Sequence, residues 1–239
     1  MTKDHLVNII EKTHLGGLTE QVRFKIKDGN LLINSTTTLK DCISELNASV
    51  ELEDNELGIF DLTQFYKLVK IVKDPIQINV IKKEDKALKI EIKDSNFDLS
   101  YNLADLGLIS EGTLSNQLPD PVVSLDLNTE FVDKFIKAHN ALEKAETFQI
   151  RTEVDKMKIE TVKFIIGLTD KFSNKISFSE STKQYQELPN FIYRVSNFRE
   201  ILVNNKNAKL IMFIYSMGLI RIDAVEENIK VSYYLVNNK

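Results

Sequence analysis

The 239-residue sequence predicts an α+β protein made of two similar domains, each with two helices packed on antiparallel sheets. Three observations carry this. A block running from Gly58 through Val69, then Pro75 and two alternating segments ending near Tyr101, recurs as Ile192 through Leu202 with alternating segments ending near Tyr234. Phe65 aligns with Phe198 and Tyr101 with Tyr234, both at an offset of 133 residues. Four stretches, two per half, repeat their apolar residues with the helical period, and much of the intervening chain alternates with a period of two.

The helices come first. Over Asp4–Thr13, Leu6, Ile9 and Ile10 share one face, with His5, Asn8, Glu11 and Lys12 opposite. Over Asp61–Lys73 the apolar stripe is Leu62, Phe65, Leu68, Val69 and Val72, with Lys67 and Lys70 across from it and Asp61 as the N-cap or first-turn acid. Asn128–Lys144 gives the clearest arc: Phe131, Val132, Phe135, Ile136, His139 and Leu142. Glu130, Asp133, Lys134, Lys137 and Lys144 form its polar side, and Asn128 is a good cap. Asn197–Asn205 is short, with Phe198, Ile201 and Leu202 facing away from Arg199, and Lys206 follows on the Arg199 side.

Between the helices, Val22–Lys27 alternates cleanly and runs into Asp28-Gly29, a strong hairpin turn, before Leu31–Ile33. Leu88–Lys93 and Ile229–Leu235 alternate as well. The second half adds Phe148–Arg151, a turn at Asp155-Lys156, and Ile159–Ile166. Such alternation belongs to sheets with one face on a core and the other in water. Turn chemistry collects at Gly107, Glu111-Gly112, Ser115-Asn116 and Pro119-Asp120-Pro121. The domains are therefore expected at 1–110 and 122–239, joined by a connector at 111–121 whose two prolines keep it stiff and out of any central strand.

Composition narrows the function classes. With 8 Gly and 4 Pro the chain has no low-complexity linker. One cysteine, Cys42, cannot form an internal disulfide, so a reducing compartment fits and the thiol reads as a small half-buried side chain. The N-terminus carries no signal-like apolar stretch, and the most apolar run, Leu210–Ile220, is broken by Ser216 and Gly218 and falls short of the roughly 20 residues of a membrane span. A cytoplasmic protein with no membrane partner is the expectation. A net charge of −4 argues against a uniformly basic surface but not against basic charge confined to one face.

Catalytic chemistry has little to build on. His139 sits within an apolar arc, and His5 and His14 have no second ligand at metal spacing. Neither a phosphate-binding glycine loop nor a nucleophile elbow is present. The acidic run Glu51, Glu53, Asp54 and Glu56 lacks the spacing of a calcium loop and reads as a solvated loop or strand end. The expectation is a non-enzyme without metal or cofactor.

What remains is a set of cations on the polar helix faces: Lys12, Lys67, Lys70, Lys134, Lys137, Lys144, Arg199 and Lys206. Lysines that reach phosphates give affinity without reading bases. Ordinary solvation of a helix face produces the same pattern, and Glu130 and Asp133 dilute it.

A resemblance bears on that choice. Ile59-Phe60-Asp61-Leu62-Thr63-Gln64-Phe65-Tyr66-Lys67-Leu68-Val69 resembles the strand-to-helix stretch of the sliding clamps of T-even-type bacteriophages. Leu118-Pro119-Asp120-Pro121-Val122 is similar to their interdomain segment, and Lys209–Phe213 with Ile229–Val236 to their closing strands. The resemblance implies a DNA-clamp fold that closes as a head-to-tail homotrimeric ring around duplex DNA, with helices lining the hole and sheets outside. It implies a processivity factor that tethers the replicative DNA polymerase and is opened by an ATP-driven clamp loader. Partners of such clamps dock peptides in an apolar pocket beside the connector, for which Val122, Val123, Tyr234 and Val236 are the candidates, with core or subunit packing as their other reading. The alternative function is a structural β-rich virion or scaffold protein whose duplication serves assembly alone.

Overall fold

The computed structural model describes residues 1–84, 86–114, 117–154, 160–167 and 173–238. The chain divides into two compact units, Met1–Thr113 with Glu227–Val231, and Leu114–Glu226 with Ser232–Lys239. The last strand is thus shared, whereas the sequence assigns all of it to the second domain.

In the first unit, helix α1 (Lys3–His14) precedes strands β1 (Val22–Lys27), β2 (Asn30–Thr36), β3 (Cys42–Ser49) and β4 (Asn55–Ile59). These strands are antiparallel neighbours in the order β4-β1-β2-β3. Asp28 and Gly29 link β1 to β2 with φ of 51° and 72°, the pair of positive values that a two-residue hairpin needs to match strand twist. Helix α2 (Leu62–Ile71) and the meander β5 (Gln77–Lys83), β6 (Lys86–Lys93) and β7 (Asp98–Asn102) complete the unit.

Packing follows the apolar stripes. Leu62, Phe65 and Val69 of α2 are buried, and the Phe65 ring meets Tyr101 edge-on at 5.0 Å and Phe24 at 6.5 Å. Asp61 caps α2 by accepting from the Gln64 amide at 2.7 Å. The Tyr101 hydroxyl both accepts from the Asp61 amide and donates to its carbonyl, each at 3.1 Å, which pins β7 to the start of α2.

The second unit holds β8 (Val123–Asp126), α3 (Thr129–Ala141), β9 (Thr147–Val154), β10 (Glu160–Gly167), β11 (Lys175–Ser181), β12 (Phe191–Arg194), α4 (Val195–Asn204), β13 (Lys209–Ile214) and β14 (Ile220–Val225). The strand β15 (Ile229–Leu235) ends in it. One sheet runs β11-β10-β9-β12, and β14-β13-β8 are neighbours in another. At its centre Phe131, Phe135, Phe148, Phe164 and Phe198, none more than 1% exposed, bring α3, α4, β9 and β10 together. Phe135 and Phe148 lie 4.7 and 4.8 Å from Phe198, within the range in which aromatic pairs add to area burial.

The duplication is visible in the helices: α2 and α4 begin and end 133 residues apart, 62 against 195 and 71 against 204. Some boundaries differ from expectation. Helix α3 stops at Ala141 because Leu142 leaves helical geometry (φ −130°, ψ 53°) and its amide returns to the His139 carbonyl. Helix α4 begins at Val195, continuing directly from β12 without a side-chain cap, so Asn197 is an interior residue, 2% exposed. Cys42 is fully buried rather than half-buried, because it starts the inward-facing series of β3. The expected turns at Ser115-Asn116 and Asp155-Lys156, and Ile159 at the head of its strand, lie outside the described residues.

Candidate nucleic-acid interface

In the first unit α2 turns Phe65 and Val69 inward, which directs Lys67 and Lys70 into solvent. Lys70 folds back along its helix: its ammonium donates to the Tyr66 hydroxyl at 3.1 Å and lies 4.8 Å from the ring centre. The hydrogen bond to Tyr66 raises the lysine pKa, so the charge is secure at neutral pH. Tyr66 in turn donates to Glu11 of α1, and burial followed by that bond pushes the phenol up.

Lys12 is placed differently from the sequence reading. It is 1% exposed, so its side chain is interior and offers nothing to an external phosphate. The reason is angular: three residues after Ile9 it lies only about 60° from that core position, and Thr13 and His14 beside it are buried as well.

The second unit sorts its cations sharply. Lys137, Lys144 and Lys206 are exposed, and Lys206 borders a cleft of about 700 Å³ with Asn128, Asp133 and Lys209. Lys134 reaches Glu180 of β11 at 2.6 Å and Glu130 at 3.7 Å. The Glu180 bond raises its pKa and holds the ammonium over the Phe178 ring at 5.6 Å. Arg199 is paired with its neighbour Glu200. His139 is half-buried, with an Nδ1 that has no hydrogen-bond partner among the described residues, and burial followed by the nearby Arg199 charge holds it below the ordinary imidazole value.

Of the expected pocket residues, Val123 is fully buried because β8 turns Val123 and Leu125 inward, with Val123 opposite Ile214. Tyr234 is 7% exposed, since Tyr233, Tyr234 and Leu235 are buried in succession and both faces of β15 are covered at that end. Val236 is 43% exposed and Val122 is part-buried, so these two remain reachable. The connector itself is held in the first unit by Glu111, which accepts from Arg23 at 3.0 Å and Lys25 at 2.7 Å. A side chain at Gly112 would come within 2.4 Å of the Ser35 carbonyl, so only glycine fits there.

Tyr66 and Glu180 are not among the residues the sequence nominates for the interface, and the contacts that Glu11 and Glu200 make are not visible in it. The spacing of Tyr66 and Lys70, four residues apart on one helix face, carries a local signal for their contact. Glu180 lies 46 residues from Lys134, and no local pattern announces it.

No protein-family model and no curated protein matches the chain by sequence. Solved structures do match it over its whole length. The complex of the C-terminal region of FEN-1 with A. fulgidus PCNA gives a TM-score of 0.74 at 14% identity, covering 100% of this chain and 97% of the other. The chain has the clamp fold. Proliferating cellular nuclear antigen from Entamoeba histolytica matches with a TM-score of 0.73 at 13% identity, and the PCNA2-PCNA3 complex from Sulfolobus tokodaii with 0.72 at 11%, each with the same two coverages. Among the described residues each unit has two α-helices and antiparallel strands, the α+β architecture the sequence predicts. Among the described residues no helix is long and apolar enough to cross a membrane, and no group of His, Cys, Asp and Glu is arranged to hold a metal ion.

Proposed function

We propose that this protein is a sliding clamp, a DNA polymerase processivity factor that encircles duplex DNA as a ring. The observation that carries the reading is the clamp fold over the full chain, combined with Lys67, Lys70, Lys137 and Lys206 standing exposed on or beside helices whose other faces are core. In the proposed ring those helices face the duplex, and their ammonium groups hold phosphates without reading sequence, which leaves the clamp free to slide. Its acidic net charge is no obstacle, because only the lining has to be basic.

The finer reading is a homotrimer of the T-even phage type, with the replicative polymerase and an ATP-driven loader as partners. Among the described residues, strands β5 and β7 in the first unit and β11 in the second are sheet edges, whose open backbone groups suit pairing from subunit to subunit. Val122 and Val236 are the residues left accessible to a partner peptide near the connector. The protein acts as a scaffold and does no chemistry. The virion-scaffold alternative draws no separate support from any feature of the site.

Native mass measurement tests the ring directly, with a trimer as the expected species. The companion assay is loader- and ATP-dependent stimulation of the cognate polymerase on circular DNA. A protein that stays monomeric at every accessible concentration and stimulates nothing overturns the proposal.

A further inference from the structure

The two copies of the repeat differ where it matters for charge. Helices α2 and α4 superpose in sequence at an offset of 133, which sets Glu200 at the position of Lys67 and Val203 at that of Lys70. Glu200 is also held in place. Its carbonyl accepts from the Asn204 amide group at 2.8 Å, and its carboxylate is paired with Arg199, within 3.4 Å of the same Asn204 nitrogen. The side chain of Glu200 is 19% exposed and that of Arg199 34%, so the pair sits at the surface of α4 but is not freely solvated.

We propose that Glu200 is a restraint on DNA affinity: its carboxylate occupies Arg199 and keeps the guanidinium from duplex phosphates, so that the second copy of the repeat grips more weakly than the first. The inference rests on the clamp reading above. Its physical basis is counterion release, in which each cation that reaches a phosphate steepens the salt dependence of binding by about 0.9 in log–log slope. A paired arginine releases no such counterion. A clamp that must slide is served by fewer contacts, and a fixed carboxylate on the helix face removes one without altering the core behind it.

The test uses the full-length protein and a short labelled duplex, with binding followed by fluorescence anisotropy over a salt series. E200Q keeps the side-chain volume and the Asn204 contact to the backbone. It is expected to raise affinity by about three- to eightfold near 0.1 M salt and to steepen the slope by about 0.9. E200K, which restores the lysine of the first copy, should exceed it. Adding R199A to E200Q should cancel the gain. A gain that survives R199A, or no gain from either substitution at Glu200 while a Lys67→Glu, Lys70→Glu protein loses affinity, overturns the restraint and leaves the clamp reading intact. If charge changes at all four positions leave binding where it was, the clamp lining itself is refuted. Thermal melts of each variant confirm that folded protein is being compared.

Discussion

Reversing Lys67 and Lys70 to Glu is the most direct test of the helix lining. Both side chains are exposed, and the core contacts of α2 come from Leu62, Phe65 and Val69. The structural loss is confined to the exposed Lys70–Tyr66 contact, a hydrogen bond at 3.1 Å and a cation over a ring, and amounts to about 1 kcal/mol. Because the Tyr66–Glu11 bond survives, the melting temperature should fall by only a few degrees. Removing two phosphate contacts should flatten the salt slope by about 1.8, a loss near 0.1 M salt of about 60-fold. The double reversal takes the net charge from −4 to −8, which would weaken binding to any polyanion. Lys27→Glu with Lys230→Glu changes the total identically from exposed positions on strands, and should cost much less. Anisotropy across a salt series, run on all three proteins, separates lining from total charge. Equal losses in the two double mutants, or an unchanged slope in the α2 pair, would refute the assignment. Lys12→Glu completes the set: it buries a carboxylate at a site 1% exposed and should destabilise by several kcal/mol before any effect on DNA can be read.

Three further outcomes are expected. Phe198→Ala removes the ring at the middle of the second unit's aromatic cluster and should cost about 3–5 kcal/mol, measured by denaturant unfolding. Burial acts to raise the Glu111 carboxyl, but the hydrogen bonds from Lys25 and Arg23 outweigh it and hold the group below its ordinary value of 4.5. A depressed carboxylate contributes stability that is complete above the unfolded pKa and is lost as pH falls through the folded one. Glu111→Ala should therefore lower stability at neutral pH, by about 1 kcal/mol with its partners a quarter to a third exposed, and should flatten the decline below about pH 4.5. The Cys42 thiol, pushed far up by burial and then by the Asp41 charge, should resist alkylation in the native protein and react promptly in denaturant.

Most of the architecture was legible because it is written in local periodicity. The apolar arcs of α1 to α4 and the alternation of β1, β6 and β15 follow from which face must leave water. Asp61 and Asn128 announce their helix starts, each by accepting from an amide three residues on. What stayed hidden depends on partners distant in sequence. Lys134 looks as available as Lys137 until Glu180 arrives from β11, and Lys12 looks polar-faced until its neighbours enclose it. Val123 is nominated by its place at the exit of the connector and Tyr234 by strand alternation, and neither signal tells whether anything covers the side chain. The clamp fold therefore emerges from the sequence more completely than the interface does.

The repeat makes the same division within one molecule. At the 133-residue offset the inward positions of the two copies correspond in kind: Leu62 with Val195, Phe65 with Phe198 and Val69 with Leu202, all at most 3% exposed. The outward positions do not, since Tyr66, Lys67 and Lys70 stand against Arg199, Glu200 and Val203. Packing explains the asymmetry. A buried position must fill a fixed volume, where a wrong shape costs several kcal/mol, whereas a solvated one tolerates almost any residue within about 0.5 kcal/mol. The helix interior was thus constrained twice by the same fold, while each outer face was free to take the charge its own surroundings favour. Two helices of one design came to carry opposite charges at the position of Lys67 and Glu200, and a single substitution at Glu200 is enough to bring that position back into agreement.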